Sequence, residues 1–126
     1  MKGSARLFVL LGALVLAAGI GFGAAGSHAA KVAVHPNGAA LVQTSVLYQL
    51  VHGLGLLMVG ILLQLTVPSR LLLAAGALLA VGVLAFCGSL YVLAWTGTSL
   101  GPAAPFGGTA FIAGWLCIAA WAIRNR

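Results

Sequence analysis

Ser45, Tyr48, Gln49 and His52 place a hydroxyl, a phenol, a carboxamide and an imidazole inside an otherwise apolar run. At about 100° per residue they share one side of a helix. Tyr48 and His52 are neighbours at i, i+4. An imidazole in a membrane can ligate a metal or haem iron, or shuttle a proton. Tyr48, with Tyr91 further along, could contact a lipid head group or a quinone. Unpartnered polar groups facing lipid cost about several kcal/mol each, so this face is expected to look inward. The plainer role is hydrogen bonding between helices, worth about 0.6–2 kcal/mol per contact. That is the preferred reading for His52 and both tyrosines.

The other candidate chemistry is thinner. His28, His35 and His52 offer three imidazoles, a set that metal sites do use, but their spacing is loose and His35 falls in a loop. Haem held by two histidines needs two of them facing each other from helices, and only His52 lies inside an apolar run. No metal and no cofactor are therefore expected. Gly107 and Gly108 could present amides to an anion at a helix N-terminus; close packing at the start of a helix is the preferred account.

The chain has no Asp or Glu at all. That excludes a carboxylate dyad, a Ser-His-Asp triad and a carboxylate cage for Ca²⁺ or Mg²⁺. Enzymatic turnover is not expected. Cys87 and Cys117 both sit in apolar runs. They read as small buried hydrophobes rather than as a disulfide of the kind found in small secreted domains.

The elements that must position these groups are membrane helices. Of the 126 residues, 63% are hydrophobic and 5% charged, and mean hydropathy is +1.19. Soluble domains carry roughly 25% charged residues. The net charge is +6, but the basic residues are scattered singly. A nucleic-acid footprint needs a clustered patch, so no nucleic-acid partner is expected. The reading is an all-α bundle of four transmembrane helices forming a single domain. The spans fall at about 7–26, 41–65, 71–95 and 106–123.

Lys2, Arg6, the following apolar run and Ser27-His28-Ala29 also outline a signal peptide. The run Leu7–Ala25 exceeds the roughly 7–15 residues of such a segment, so it reads as the first span. Gly12, Gly19, Gly23 and Gly26 fall on one side of it, a stripe that allows close backbone approach. Gly76 in the third span, and Gly107, Gly108 and Gly114 in the fourth, extend the packing set. Trp115 falls near mid-membrane, so its N–H should find a partner inside the protein.

Lys2, Arg6, Arg70, Arg124 and Arg126 lie on one side of this topology and only Lys31 on the other. Positive charge favours the cytoplasm, which places both termini there, in a bacterial inner membrane. His28, Tyr48, Gln49, His52, Ser89, Tyr91 and Thr109 then share the outer half. The inner half is apolar apart from Gln64. The expectation is an outward-facing polar cluster, closed below by an apolar plug.

Four segments in series carry a family likeness: Gly-Ala-Ala-Gly-Ser-His at 23–28, Gln43 through Tyr48-Gln49 to His52, Phe86-Cys87-Gly88-Ser89-Leu90-Tyr91, and Pro105-Phe106-Gly107-Gly108 through Phe111 to Gly114-Trp115. Through them the chain resembles the small inner-membrane proteins of the YgdD/YwdK type, domain-of-unknown-function family four-two-three. The resemblance covers nearly the whole chain. It implies four spans with both ends cytoplasmic, and no established activity. Relatives often carry a charged residue just before the Tyr-Gln pair, where this chain has Leu47.

The expected function is that of a non-enzymatic accessory or interaction subunit in contact with membrane lipid, partnered by other membrane subunits or by itself as a homo-oligomer. One alternative is a small homo-oligomeric transporter or channel with the polar cluster as its vestibule. Another is a cofactor-binding subunit using His52.

Overall fold

The computed structural model of the protein describes residues 1–25 and 33–125. Among the described residues four long helices carry the chain: α1 (Gly3–Ala24), α2 (Gly38–Leu65), α3 (Arg70–Thr96) and α4 (Ala103–Arg124). Each is long and apolar enough to cross a membrane, and the described residues hold no strand. Continuous apolar runs favour helix here because every backbone group is then satisfied within its own segment. Short links, 66–69 and 97–102, make successive helices antiparallel neighbours.

The helices pack in chain order. α1 lies along α2, α2 against α3, and α3 against α4, while α1 reaches α3 at few points. Phe8 of α1 makes one of these contacts, over Gly76. The core runs through Ala5, Phe8, Leu56, Val59, Leu63, Leu72, Ala75 and Leu79.

Close approach depends on glycine. A Cβ on Gly12 would stand 2.8 Å from the Gly53 carbonyl oxygen and the Leu57 amide nitrogen. Between α3 and α4 the fit is reciprocal: the Phe111 ring occupies the notch at Gly82, and the Phe86 backbone lies against Gly107. Gly19, Gly76 and Gly114 are likewise closely covered. Gly23 and Gly108, expected in the same set, are not. A Cβ would meet Val46 at 3.4 Å from Gly23 and Phe86 at 4.0 Å from Gly108, which is ordinary contact. Gly53, Gly55, Gly60 and Gly82 do the rest of this work. Gly26 lies outside the described residues.

α3 contains a π-helical turn at Val83–Cys87. It widens the helix where α2 and α4 both press on it, and it takes carbonyls out of the regular ladder. The helix ends on Gly97, with φ +71°, whose amide bonds the Leu93 carbonyl at 3.0 Å. This left-handed position suits glycine because it has no Cβ to clash. The Ala94 carbonyl, another orphan of that last turn, accepts the Val34 and His35 amides at 2.8 and 3.1 Å. α4 starts at Ala103, so the loop expected to reach Pro105 is shorter. Pro105 stands in the first turn, where its missing N–H is harmless. The ladder is already running at Phe106, whose amide bonds the Pro102 carbonyl. Gly107 and Gly108 therefore lie beyond the free amides of the helix start, and the anion reading of that pair falls.

At the opposite end, Lys2 closes α2. Its backbone amide donates to Gln64 Oε1 at 2.9 Å, and its ammonium donates to the Leu63 and Thr66 carbonyls. A cation suits the negative end of a helix dipole.

Candidate functional site

α2 carries most of the buried polar residues, and between them they reach all three other helices. Ser45, Gln49 and His52 are buried, and Leu56 continues the same line one turn on. The spacing i, i+4, i+7, i+11 keeps them on one face.

Ser45 pairs with α3. Its hydroxyl donates to the Cys87 carbonyl at 3.0 Å, and the Cys87 thiol returns a bond to the Ser45 carbonyl at 3.4 Å. Both bonds fall on Cys87, the last residue of the π turn. Ser89 bonds within α3, donating to the Phe86 carbonyl at 2.9 Å. Ser89 is buried but turned to its own helix. Cys87 and Cys117 are both free thiols.

Gln49 joins three helices. Its amide nitrogen donates to the Val15 carbonyl of α1 at 3.0 Å, and its Oε1 accepts the Tyr91 hydroxyl of α3 at 2.7 Å. The two helices are antiparallel, and side chains lean toward their own N-termini. Gln49 and Tyr91 thus lean toward each other along the bundle axis. Above them Tyr91 stacks on Trp95 at 5.1 Å and tilts against Phe22 at 4.8 Å.

His52 faces α4. Its Nδ1 lies 2.7 Å from the Tyr48 carbonyl oxygen, and its Nε2 lies 3.1 Å from Trp115 Nε1. A carbonyl only accepts and an indole N–H only donates. The ring is therefore neutral and carries its proton on Nδ1. Its face lies 3.5 Å from the Phe111 ring centroid. Trp115 fits because Gly55 leaves room for the far edge of the indole. The partner expected for the Trp115 N–H is thus His52.

Tyr48 stands at the edge of this line and is 39% exposed. Its ring tilts against Phe86 at 4.6 Å and stacks over His52 at 5.9 Å. With Leu47, Val51 and His52 it lines a shallow lateral groove of about 240 Å³. Thr109 does not join the polar residues: it is exposed and donates to the Pro105 carbonyl of its own helix. His28 lies outside the described residues. His35 accepts the Asn37 amide on Nδ1 at 3.1 Å, near the start of α2, whereas His52 lies about 20 Å further along that helix. Among the described residues no three His or Cys side chains converge as a metal set.

Every buried side-chain nitrogen and oxygen among the described residues has a hydrogen-bond partner. What this arrangement does chemically is hold helices in register. For His52 to ligate iron or another metal, it would have to give up the Trp115 bond, since its other nitrogen is already protonated and bound.

Three features escaped sequence reasoning. The π turn has no composition signal, since Val83-Leu84-Ala85-Phe86-Cys87 reads as ordinary apolar helix. The lock between Phe111 and Gly82 was visible only as a bulky residue on one helix and a glycine on another. Gln64 stood out as a lone carboxamide in the apolar half, but its partner Lys2 lies 62 residues away in sequence.

Residues 22–108 match the family described as "Protein of unknown function (DUF423)". A UPF0382 membrane protein of Staphylococcus haemolyticus is 41% identical over 114 residues, covering 90% of this chain and 92% of the relative. A UPF0382 membrane protein of Staphylococcus epidermidis is 39% identical over 114 residues, with the same coverage. The UPF0382 membrane protein YwdK of Bacillus subtilis is 34% identical over 120 residues, covering 94% and 98%. No solved structure matches the chain. With this identity along nearly its full length, and with four helices able to span a bilayer, the chain belongs to the DUF423 family of multi-span membrane proteins.

Proposed function

We propose that the protein is a non-enzymatic accessory or interaction subunit of an assembly in the bacterial inner membrane, with both termini cytoplasmic. The observation that carries this reading is the closed polar interior: Ser45, Gln49, His52, Tyr91 and Trp115 are all engaged in bonds between helices. Nothing in that set is left over to attack, to ligate or to move a proton. The outward faces, by contrast, are open. α1 leans on α2 with one side, and Leu7, Leu10, Leu14 and Ile20 are uncovered on it. α4 leans on α3 and leaves Phe106, Ile112, Leu116 and Ile123 uncovered.

The apolar core from Leu56 to Leu79 weighs against conduction through one protomer. The doubly bonded ring of His52 weighs against a cofactor-binding role. Purification in mild detergent at native expression, followed by mass analysis of the intact assembly, tests the proposal. A complex with another protein or with further copies supports it; a lone protomer bound to nothing sinks it.

A further inference from the structure

The end of the bundle that carries Lys2 holds a second pocket, of about 260 Å³, lined by Ser69, Arg70, Leu71, Arg124 and Asn125. Two arginines from different helices line one cavity. Arg70 opens α3 and Arg124 closes α4, so both stand at the ends of helices long and apolar enough to cross a membrane. No Asp or Glu side chain exists in the chain to pair with either arginine, and both are exposed, open to an anion from outside.

The placement of Arg70 sharpens the point. Arg124, in the last turn of α4, is complementary to the negative end of that helix. Arg70 is in the first turn of α3, beside the positive end of its own helix and beside a second cation, both of the wrong sign. Ser69, the residue before α3, makes no side-chain cap bond. Lys2 at the same end donates instead to the carbonyls that close α2. An oxyanion between the two arginines would offset all three deficits at once. Arginine suits phosphate through paired N–H donors in a planar fork. Asn125 spends one of its two amide hydrogens on the Trp121 carbonyl, at 2.8 Å.

We propose that this pocket binds a phosphate oxyanion, carried on the head group of an anionic phospholipid or free in solution. Leu71 on the pocket wall gives the lipid form an apolar surface for the start of its acyl chains. Basic pockets between membrane helices recognise anionic head groups in this way.

Native mass spectrometry of the purified full chain, released from micelles doped with phosphatidylglycerol or phosphatidylcholine, reads the site directly. A parallel arm adds inorganic phosphate to phosphatidylcholine micelles, with chloride at equal ionic strength as control. The wild-type chain should retain phosphatidylglycerol over phosphatidylcholine by roughly tenfold or more. Arg70→Gln/Arg124→Gln should abolish that preference, and Arg6→Gln/Lys31→Gln, which removes the same charge elsewhere, should keep it. Retention of inorganic phosphate with no lipid preference assigns the site to a free anion and still supports it, provided the arginine pair is required. The proposal is overturned by absence of preference in both arms, or by equal loss in the two double variants. Thermal unfolding of the variants in phosphatidylcholine micelles separates lost binding from lost fold: an Arg70→Gln/Arg124→Gln chain that unfolds like wild type yet keeps the preference also overturns it.

Discussion

His52 makes two bonds with two different atoms, and the pair decides how the ring behaves. Trp115→Phe keeps most of the aromatic bulk over Gly55 but leaves Nε2 without a donor. It should cost about 1 kcal/mol, the usual worth of a bond between membrane helices. His52→Ala also removes the ring stacked on Phe111 and opens a void beside it, which should raise the loss to roughly 2–4 kcal/mol. Denaturant titration in detergent, followed by helix content, compares the two. Equal losses would show that the stack contributes nothing, and an undisturbed His52→Ala variant would return the residue to a chemical role. The position of these residues was half legible in the chain. Ser45, Gln49, His52 and Leu56 share one helical direction, so their burial could be read from spacing. Tyr48 lies about 70° off that direction, far enough to put its ring at the lipid edge. Thr109 sits at a suitable depth but points almost opposite to the line of Gly107, Ala110, Phe111 and Gly114. Depth was visible in the apolar runs; phase depended on which side of α4 met α3.

Neighbouring glycines on α4 have opposite duties. Gly107 faces the Phe86 backbone, which cannot swing aside, while Gly108 has open contact distance around it. Gly107→Ala should therefore cost about 3 kcal/mol or more, at the upper end of overpacking effects. Gly108→Ala should be neutral or stabilising by up to about 1 kcal/mol, because alanine is the better helix former. Thermal melts of the two variants in the same detergent give the contrast, and similar losses from both would contradict this packing. Composition could not separate the two glycines, since each reads as one more small residue in an apolar helix. The helices themselves were legible because length and hydropathy set them. The interior irregularity of α3 was not, because Val83-Leu84-Ala85-Phe86-Cys87 has the composition of regular apolar helix.

Among the described residues the charge lies at one end of the molecule. Lys2, Arg6, Arg70 and Arg124 cluster where α1 and α3 begin and where α2 and α4 finish. That asymmetry is the basis for placing both termini in the cytoplasm. Reporter fusions to the two ends, one active only in the cytoplasm and one only outside, should both read cytoplasmic. Moving the excess charge, with Arg70→Gln/Arg124→Gln combined with lysines placed at 97–102, should yield mixed or reversed orientation. Unchanged readings from that variant would mean that charge does not set the topology.

The Lys2 clamp also has a consequence in time. Its acceptors at the end of α2 and just past it lie 61 to 64 residues along the chain. At a synthesis rate of about 5–20 residues per second, roughly 3–12 s separate the emergence of Lys2 from that of its partners. Through that interval the glycine face of α1 has no α2 to cover it, and Lys2, the residue before the helix, has no acceptors there. The α1–α2 hairpin is the earliest tertiary unit the ribosome can deliver, and the Lys2 bonds mark the moment it closes.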